Sequence, residues 1–267
     1  TSNQIGGLIY MDMKRKYLSL RDFFISYVNQ FEMDGSEDQE NIDLKIRHSY
    51  RVCEEMENII VDFELTEVEF YLAKIIALFH DIGRFKQYRE YKTFSDYKSE
   101  DHGELGVQVL EENGLMSDFS PEHQRIVISA IRLHNNPKLP DDNDLFFAKL
   151  IRDADKLDIF NLFQKKYEKE NEEVELIKLD HRPEVSDHIY EKLINKKLIK
   201  YDSLETVNDL KLMQMTWVFD INFAKTLKII NKRKYIKTIY NSMPDMKKAK
   251  EIYEMVNQEL ENKINTD

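Results

Sequence analysis

The chain has 267 residues, 42% hydrophobic and 33% charged, and its 39 Lys and Arg against 50 Asp and Glu leave a formal charge of −11. This acidic balance disfavours binding along a nucleic-acid duplex, which calls for a basic face. One cysteine, Cys53, excludes an intrachain disulfide, and 7 Gly with 5 Pro are too few for the hairpin turns of a sandwich or barrel, so an all-α fold is expected. No apolar run approaches the roughly 18 residues of a membrane helix; the longest, Ala73 to Phe79, is broken by Lys74. No secretory leader is legible, so a cytoplasmic protein with no membrane partner is expected.

Taken in chain order, residues 1–15 carry no readable role and are expected to be disordered or foreign to the natural chain. Residues 16–267 are expected to form a single helical domain, with 201–267 a helical extension packed on it. From Lys16 to Phe31 the apolar residues Leu18, Phe23, Phe24, Tyr27, Val28 and Phe31 have helical spacing. After a loop over Met33 to Glu40, Asn41 or Asp43 can cap a helix running through Leu44, His48, Val52, Met56 and Ile59. The next helix opens with Thr66 and Glu69, a capping box, runs along Val68, Leu72, Ile75, Ile76 and Phe79, and is expected to stop at Gly83.

Gly83 to Ser99 reads as a basic, aromatic connector, irregular or with short helical turns. Helices are expected over His102 to Asn113, ended by Gly114; over Pro121 to Leu133, opened by Ser120; and from Asp144 to about Lys169. A charged stretch, Glu168 to Glu175, precedes a helix around His188 to Ile199. The tail from Leu204 to Ile264 is helical in pattern, interrupted at Ser242, Met243 and Pro244. Met213, Met215, Trp217 and Phe219 read as core. The last helix repeats apolar residues at Ile252, Met255, Val256, Leu260 and Ile264, a face that can cover a pocket or form a homodimer contact.

One constellation carries chemistry. His48, the pair His80-Asp81, His102, His134 and Asp155 lie on or at the ends of expected helices, about one helix plus one loop apart, so antiparallel neighbours would bring them to a common level. Neutral imidazoles and carboxylates suit Zn, Fe, Ni or Mn, and the two oxygens of Asp81 can bridge two ions. A lone buried histidine on an apolar face is more often a hydrogen-bonded core residue than a ligand. Here the ordered series weighs against that reading, whereas His123, His181 and His188 fit no ligand pattern. Asp153 and Asp158 compete with Asp155 on spacing alone.

These residues resemble the HD superfamily of metal-dependent phosphohydrolases. The likeness is carried by His48 in IRHSYRV, His80-Asp81 in ALFHDIGRF and Asp155 in RDADKLD, over about Lys45 to Phe160. It implies His48, His80, Asp81 and Asp155 as metal ligands, the Ala-Asp pattern favouring Asp155 over its neighbours. His102 in DHGELG and His134 in RLHNN match in position the extra histidines of dinuclear branches such as the HD-GYP phosphodiesterases. The Gly-Tyr-Pro element and the His-His pair of that branch are absent here, so a cyclic dinucleotide is not implied. Some mononuclear relatives carry an acidic residue three positions after the motif aspartate, where this chain has Arg84.

The resemblance implies an all-α HD-domain bundle and one or two divalent ions among Mn, Fe, Ni, Zn and Mg. Water activated at those ions would attack the phosphorus of a nucleotide or other small phosphate ester, monoester or diester. Asp81 and Arg84 are then the catalytic candidates. Arg84 offers a forked donor to the phosphate, Lys86 is a poorer one, and Lys156 is a second phosphate contact. Without the metal pair beside it, the basic cluster from Arg84 to Lys98 would read as solvated surface. Two other readings share the ligand set: a di-iron oxygenase, separable by metal identity, and a non-catalytic sensor or interaction module, which has no need of six converging ligands.

Overall fold

A computed structural model describes residues 2–33, 35–141, 145–168 and 179–265, with side chains from residue 12 onward. Among the described residues every regular element is helical, and strand pairing is limited to one isolated bridge between Asp180 and Thr206. The chain divides into two compact units, residues 1–155 and 156–267.

The first unit contains α1 (Ser2–Val28), α2 (Ser36–Ile60), α3 (Glu67–Phe79), α4 (Gly83–Tyr91), α5 (His102–Glu112), α6 (Pro121–Leu133) and the first part of α7 (Phe146–Glu168). Helix α3 is its axis. The capping box forms as expected, with Thr66 Oγ1 accepting from Glu69 N at 3.3 Å and Glu69 Oε2 accepting from Thr66 N at 2.7 Å. Such a reciprocal cap contributes about 1 kcal/mol. Beyond it Tyr71, Leu72, Ala73, Ile75, Ile76, Ala77, Leu78 and Phe79 are all buried, because α1, α2 and α6 pack around this helix. Phe24 of α1 meets Phe79 and Phe85 edge-on, with centroids 5.8 and 6.2 Å apart. This buried helix therefore ends at His80-Asp81.

Several expectations are corrected. Helix α1 begins at Ser2 rather than near Lys16. Helix α2 begins at Ser36 rather than at Asn41 or Asp43; Glu37 and Asp38 in its first turn suit the positive end of the helix dipole. Gly83 is not a left-handed stop. Tight turns, Ile82 N to Phe79 O at 3.0 Å and Arg84 N to Asp81 O at 2.9 Å, carry the chain from α3 into α4, which opens at Gly83. The connector is thus mostly a helix, followed by a short 3-10 turn over Asp96–Lys98.

What Gly83 supplies is space. A Cβ there would lie 2.2 Å from the His102 carbonyl oxygen and 2.5 Å from Gly106 N, so α4 and α5 approach with their backbones almost touching. Gly103 repeats the device between α5 and α6, where a Cβ would meet Arg132 O at 2.9 Å.

The second unit holds the remainder of α7, α8 (Asp187–Ile194), α9 (Val207–Thr216), α10 (Ala224–Lys232), α11 (Tyr235–Asn241) and α12 (Lys247–Asn265). Helix α9 has a capping box of Thr206 and Asp209, and α12 packs on α8, α9, α10 and α11 through buried Ala249, Ile252, Val256 and Leu260. Phe160 stacks on Tyr235, centroids 5.5 Å apart. Met213 and Met215 are buried and Trp217 and Phe219 half-buried. Helix α8 stops before the expected Ile199, where Lys196 adopts φ 53°. The tail also breaks between α10 and α11, where Lys234 adopts φ 58°. Of the charged stretch from Glu168 to Glu175, all but Glu168 lies outside the described residues, as does Asp144.

Candidate metal centre

Five helices deliver the candidate ligands to one place. His48 comes from the middle of α2, His80 and Asp81 from the end of α3, His102 from the first residue of α5, His134 from the end of α6 and Asp155 from α7. His48, His80, Asp81, His102 and His134 are buried, and the Asp155 side chain keeps 23% of its exposure.

The atoms fall into two groups joined by one carboxylate. Asp81 Oδ2 lies 3.5 Å from His48 Nε2 and 3.8 Å from His80 Nε2. The other oxygen, Asp81 Oδ1, lies 3.3 Å from His102 Nε2 and 3.8 Å from His134 Nε2. Asp155 Oδ1 joins the first group, 3.1 Å from His48 Nε2 and 4.0 Å from His80 Nε2. The structure thus brings together all six residues named from the sequence.

Hydrogen bonds fix which nitrogen faces inward in three of the four rings. His80 Nδ1 donates to Ala77 O at 2.8 Å and His134 Nδ1 to Ile131 O at 2.7 Å; both rings sit just past a helix end and fold back on the carbonyl three residues earlier. His102 Nδ1 donates to Asp96, 2.9 and 2.8 Å from its two carboxylate oxygens. With the proton on Nδ1, a neutral imidazole presents a bare lone pair at Nε2. Burial holds His80 down to about 3 and His102 to about 4, so both rings are neutral at pH 7.

Facing lone pairs 3.0 Å apart, His102 Nε2 to His134 Nε2, repel unless a cation lies between them. Ligand atoms on one ion with bonds of about 2.1 Å stand about 3.0 Å apart at right angles and about 3.4 Å apart at the tetrahedral angle. The spacing of the two imidazole pairs, 3.3 Å for His48 and His80 and 3.0 Å for His102 and His134, lies in that interval. These residues fit divalent metals. Burial by itself raises the Asp81 carboxyl, but the opposing charges, Lys45 first among them, outweigh it and hold the group well below the usual range. For Asp155 burial is likewise outweighed, by the His48 hydrogen bond, so both carboxylates are ionised.

The phosphate candidates are placed differently. Arg84 Nη1 donates to Gln87 Oε1 at 2.8 Å, Phe94 O at 2.5 Å and Asp96 Oδ1 at 2.9 Å, while Nε, 3.4 Å from Asp81 Oδ1, is buried without a hydrogen bond. Its guanidinium is largely committed to holding the 94–96 segment rather than projecting as an open fork. Lys86 Nζ lies 3.9 Å from Glu112 Oε1 and Lys156 Nζ pairs with Asp220 Oδ2 at 2.8 Å.

Three residues went unread in the sequence. Asp96 orients His102, and Asn135 donates to Asp96 Oδ2 at 3.2 Å and to Asp101. Lys45 Nζ donates to Asp81 Oδ2 at 2.8 Å. Lys45 could have been found, since it stands three residues before His48 and so shares its helix face. Asp96 carries no such local signal.

Residues 46–159 match the family model described as the HD domain. HD domains bind divalent metals and belong to a superfamily of metal-dependent hydrolases. Helices α2 to α6 and the first part of α7 are thus the framework of the matched segment, and the paired groups around Asp81 lie inside it. No curated protein matches the chain, and no solved structure does. Among the described residues, no helix is long and apolar enough to cross a membrane.

Proposed function

We propose that this protein is a phosphohydrolase that cleaves nucleotides or other small phosphate esters with two divalent ions, one in each group around Asp81. The observation that carries the reading is the division of Asp81, with Oδ2 facing His48 and His80, and Oδ1 facing His102 and His134. Divalent ions held there would supply Lewis acidity and a coordinated water acidic enough to act as a nucleophile near neutral pH.

The protein's own part is preorganisation. Asp81, His48, His80 and Asp155 would hold one ion, and Asp81, His102 and His134 the other. Asp96 keeps the His102 proton on Nδ1 and the ring aimed inward, the arrangement that typically supports a metal-bound histidine. Arg84 and Gln87 in turn hold Asp96, so the contribution of Arg84 is chiefly to position this layer. Its Nη2 makes no hydrogen bond among the described residues and is the part of Arg84 left to meet an anion.

The test is elemental mass spectrometry of protein purified without chelator, alongside an Asp81→Ala control and a panel of nucleotides and simple phosphate esters. Two ions of Mn, Ni, Zn or Mg per chain, lost in the control together with phosphate release, are expected. Two irons with oxygen uptake and no phosphate release would replace this reading with oxygenase chemistry. No metal after reconstitution and no turnover would leave a sensor or interaction module.

A further inference from the structure

We propose that Lys45 is a substrate-binding residue that donates to the anionic group of the phosphate ester, an inference that rests on the phosphohydrolase reading. Lys45 lies on α2, one turn before His48, and its Nζ is 2.8 Å from Asp81 Oδ2, the oxygen that faces His48 and His80. The side chain is held over the Phe94 ring, with Nζ 5.2 Å from the centroid, and remains 18% exposed. An ammonium has three donor hydrogens. Asp81 takes one, and the other two meet no protein acceptor among the described residues.

The contrast with the other nearby cation supports the choice. Arg84 Nη1 is already shared among three acceptors, whereas the Lys45 ammonium is a compact charge whose donors can turn toward a new oxygen. A phosphate gathered at the two groups would bring several anionic oxygens to within one hydrogen-bond length of the carboxylate that Lys45 already touches. Lys45 reaches Asp81 with one donor and leaves two for that anion, with a positive charge that a neutral side chain could not supply.

The experiment uses the full chain loaded with Mn2+ and inorganic phosphate as the probe, with affinity read by titration calorimetry and ion content by elemental mass spectrometry. Lys45→Met keeps the aliphatic stem over Phe94 and removes the donors; Lys45→Arg keeps the charge. Lys45→Met is expected to hold as many ions as the wild type and to bind phosphate roughly 10- to 100-fold more weakly, as losing a charge-assisted hydrogen bond implies. Lys45→Arg should recover part of that loss, and Lys45→Gln substitutes for the methionine variant if the latter does not fold. Unchanged phosphate affinity in a loaded, neutral variant, where the wild type binds, would overturn this role and leave the hydrolase reading standing. Fewer ions in the variant would overturn it too, making Lys45 a support for Asp81 alone. A loaded wild type that binds no phosphate would overturn both.

Discussion

Replacing Gly83 with alanine tests how the second group of ligands is held. The new Cβ would lie 2.2 Å from His102 O, 2.5 Å from Gly106 N and 2.9 Å from Leu105 Cβ. Ordinary contact begins at about 3.4 Å, so roughly 1 Å must be made up. All three atoms belong to α5, and two are backbone, so no rotamer change relieves the clash; α5 has to move away from α4. Overpacking of this kind costs about 1–3 kcal/mol, offset by up to about 1 kcal/mol from the better helix propensity of alanine. A net cost of about 1–2 kcal/mol, at roughly 2–4 °C per kcal/mol for a chain of this size, lowers Tm by roughly 2–8 °C.

The shift also carries His102 with it, from 3.0 Å to His134 Nε2 and 3.3 Å to Asp81 Oδ1. A displacement near 1 Å is half a metal–ligand bond. If each group holds an ion as proposed, Gly83→Ala should lose one by elemental mass spectrometry and keep the one at His48 and His80. Gly114→Ala is the control: Gly114 has φ 59° with nothing within 4 Å of a Cβ, so it should lose stability through backbone strain and keep both ions. A Gly83→Ala protein with two ions and an unchanged melting curve would refute the argument.

Asp96→Asn removes the carboxylate that holds the His102 proton, and should weaken binding of the ion in the second group about 10- to 100-fold in a chelator competition, leaving the first group intact. Thr66→Ala breaks the capping box of the central helix and should cost about 1 kcal/mol in a urea melt, with unchanged ion content per folded chain. Acid should destabilise the fold. Burial lowers His80 and His102 from the ordinary 6.5 to about 3 and about 4, so the unfolded chain binds more protons between those values. Stability is full above about pH 6.5 and falls toward pH 3 to 4. Asp81, held low when folded, adds to the loss below the ordinary carboxylate value of 3.8. Thermal melts across that range check the sign, and a Tm that rises on acidification would contradict it.

The candidate residues now gathered around Asp81 were legible before any coordinates because each stands on or at the end of a helical pattern. His80-Asp81 follows an unbroken apolar run, and His48 sits on an apolar ladder; these are local patterns that survive without knowledge of neighbours. The capping box at Thr66 was legible for the same reason, since its two partners lie within one turn. Gly83 was misread because the same residue serves a left-handed stop or a close helix approach. Only the backbone of α5, brought alongside from residues 102–106, tells them apart.

The sequence by itself determined an all-helical fold and the residues able to bind metal, because helical periodicity and ligand chemistry are properties of short segments. Tertiary structure decided what those residues do together. It gave each oxygen of Asp81 its own pair of imidazoles, and it set Arg84 Nη1 on Gln87, the Phe94 carbonyl and Asp96. It also set Lys45 on the shared carboxylate. Each of these depends on distances of a few ångströms between helices far apart in the chain, and such distances are fixed by packing, which no local pattern encodes.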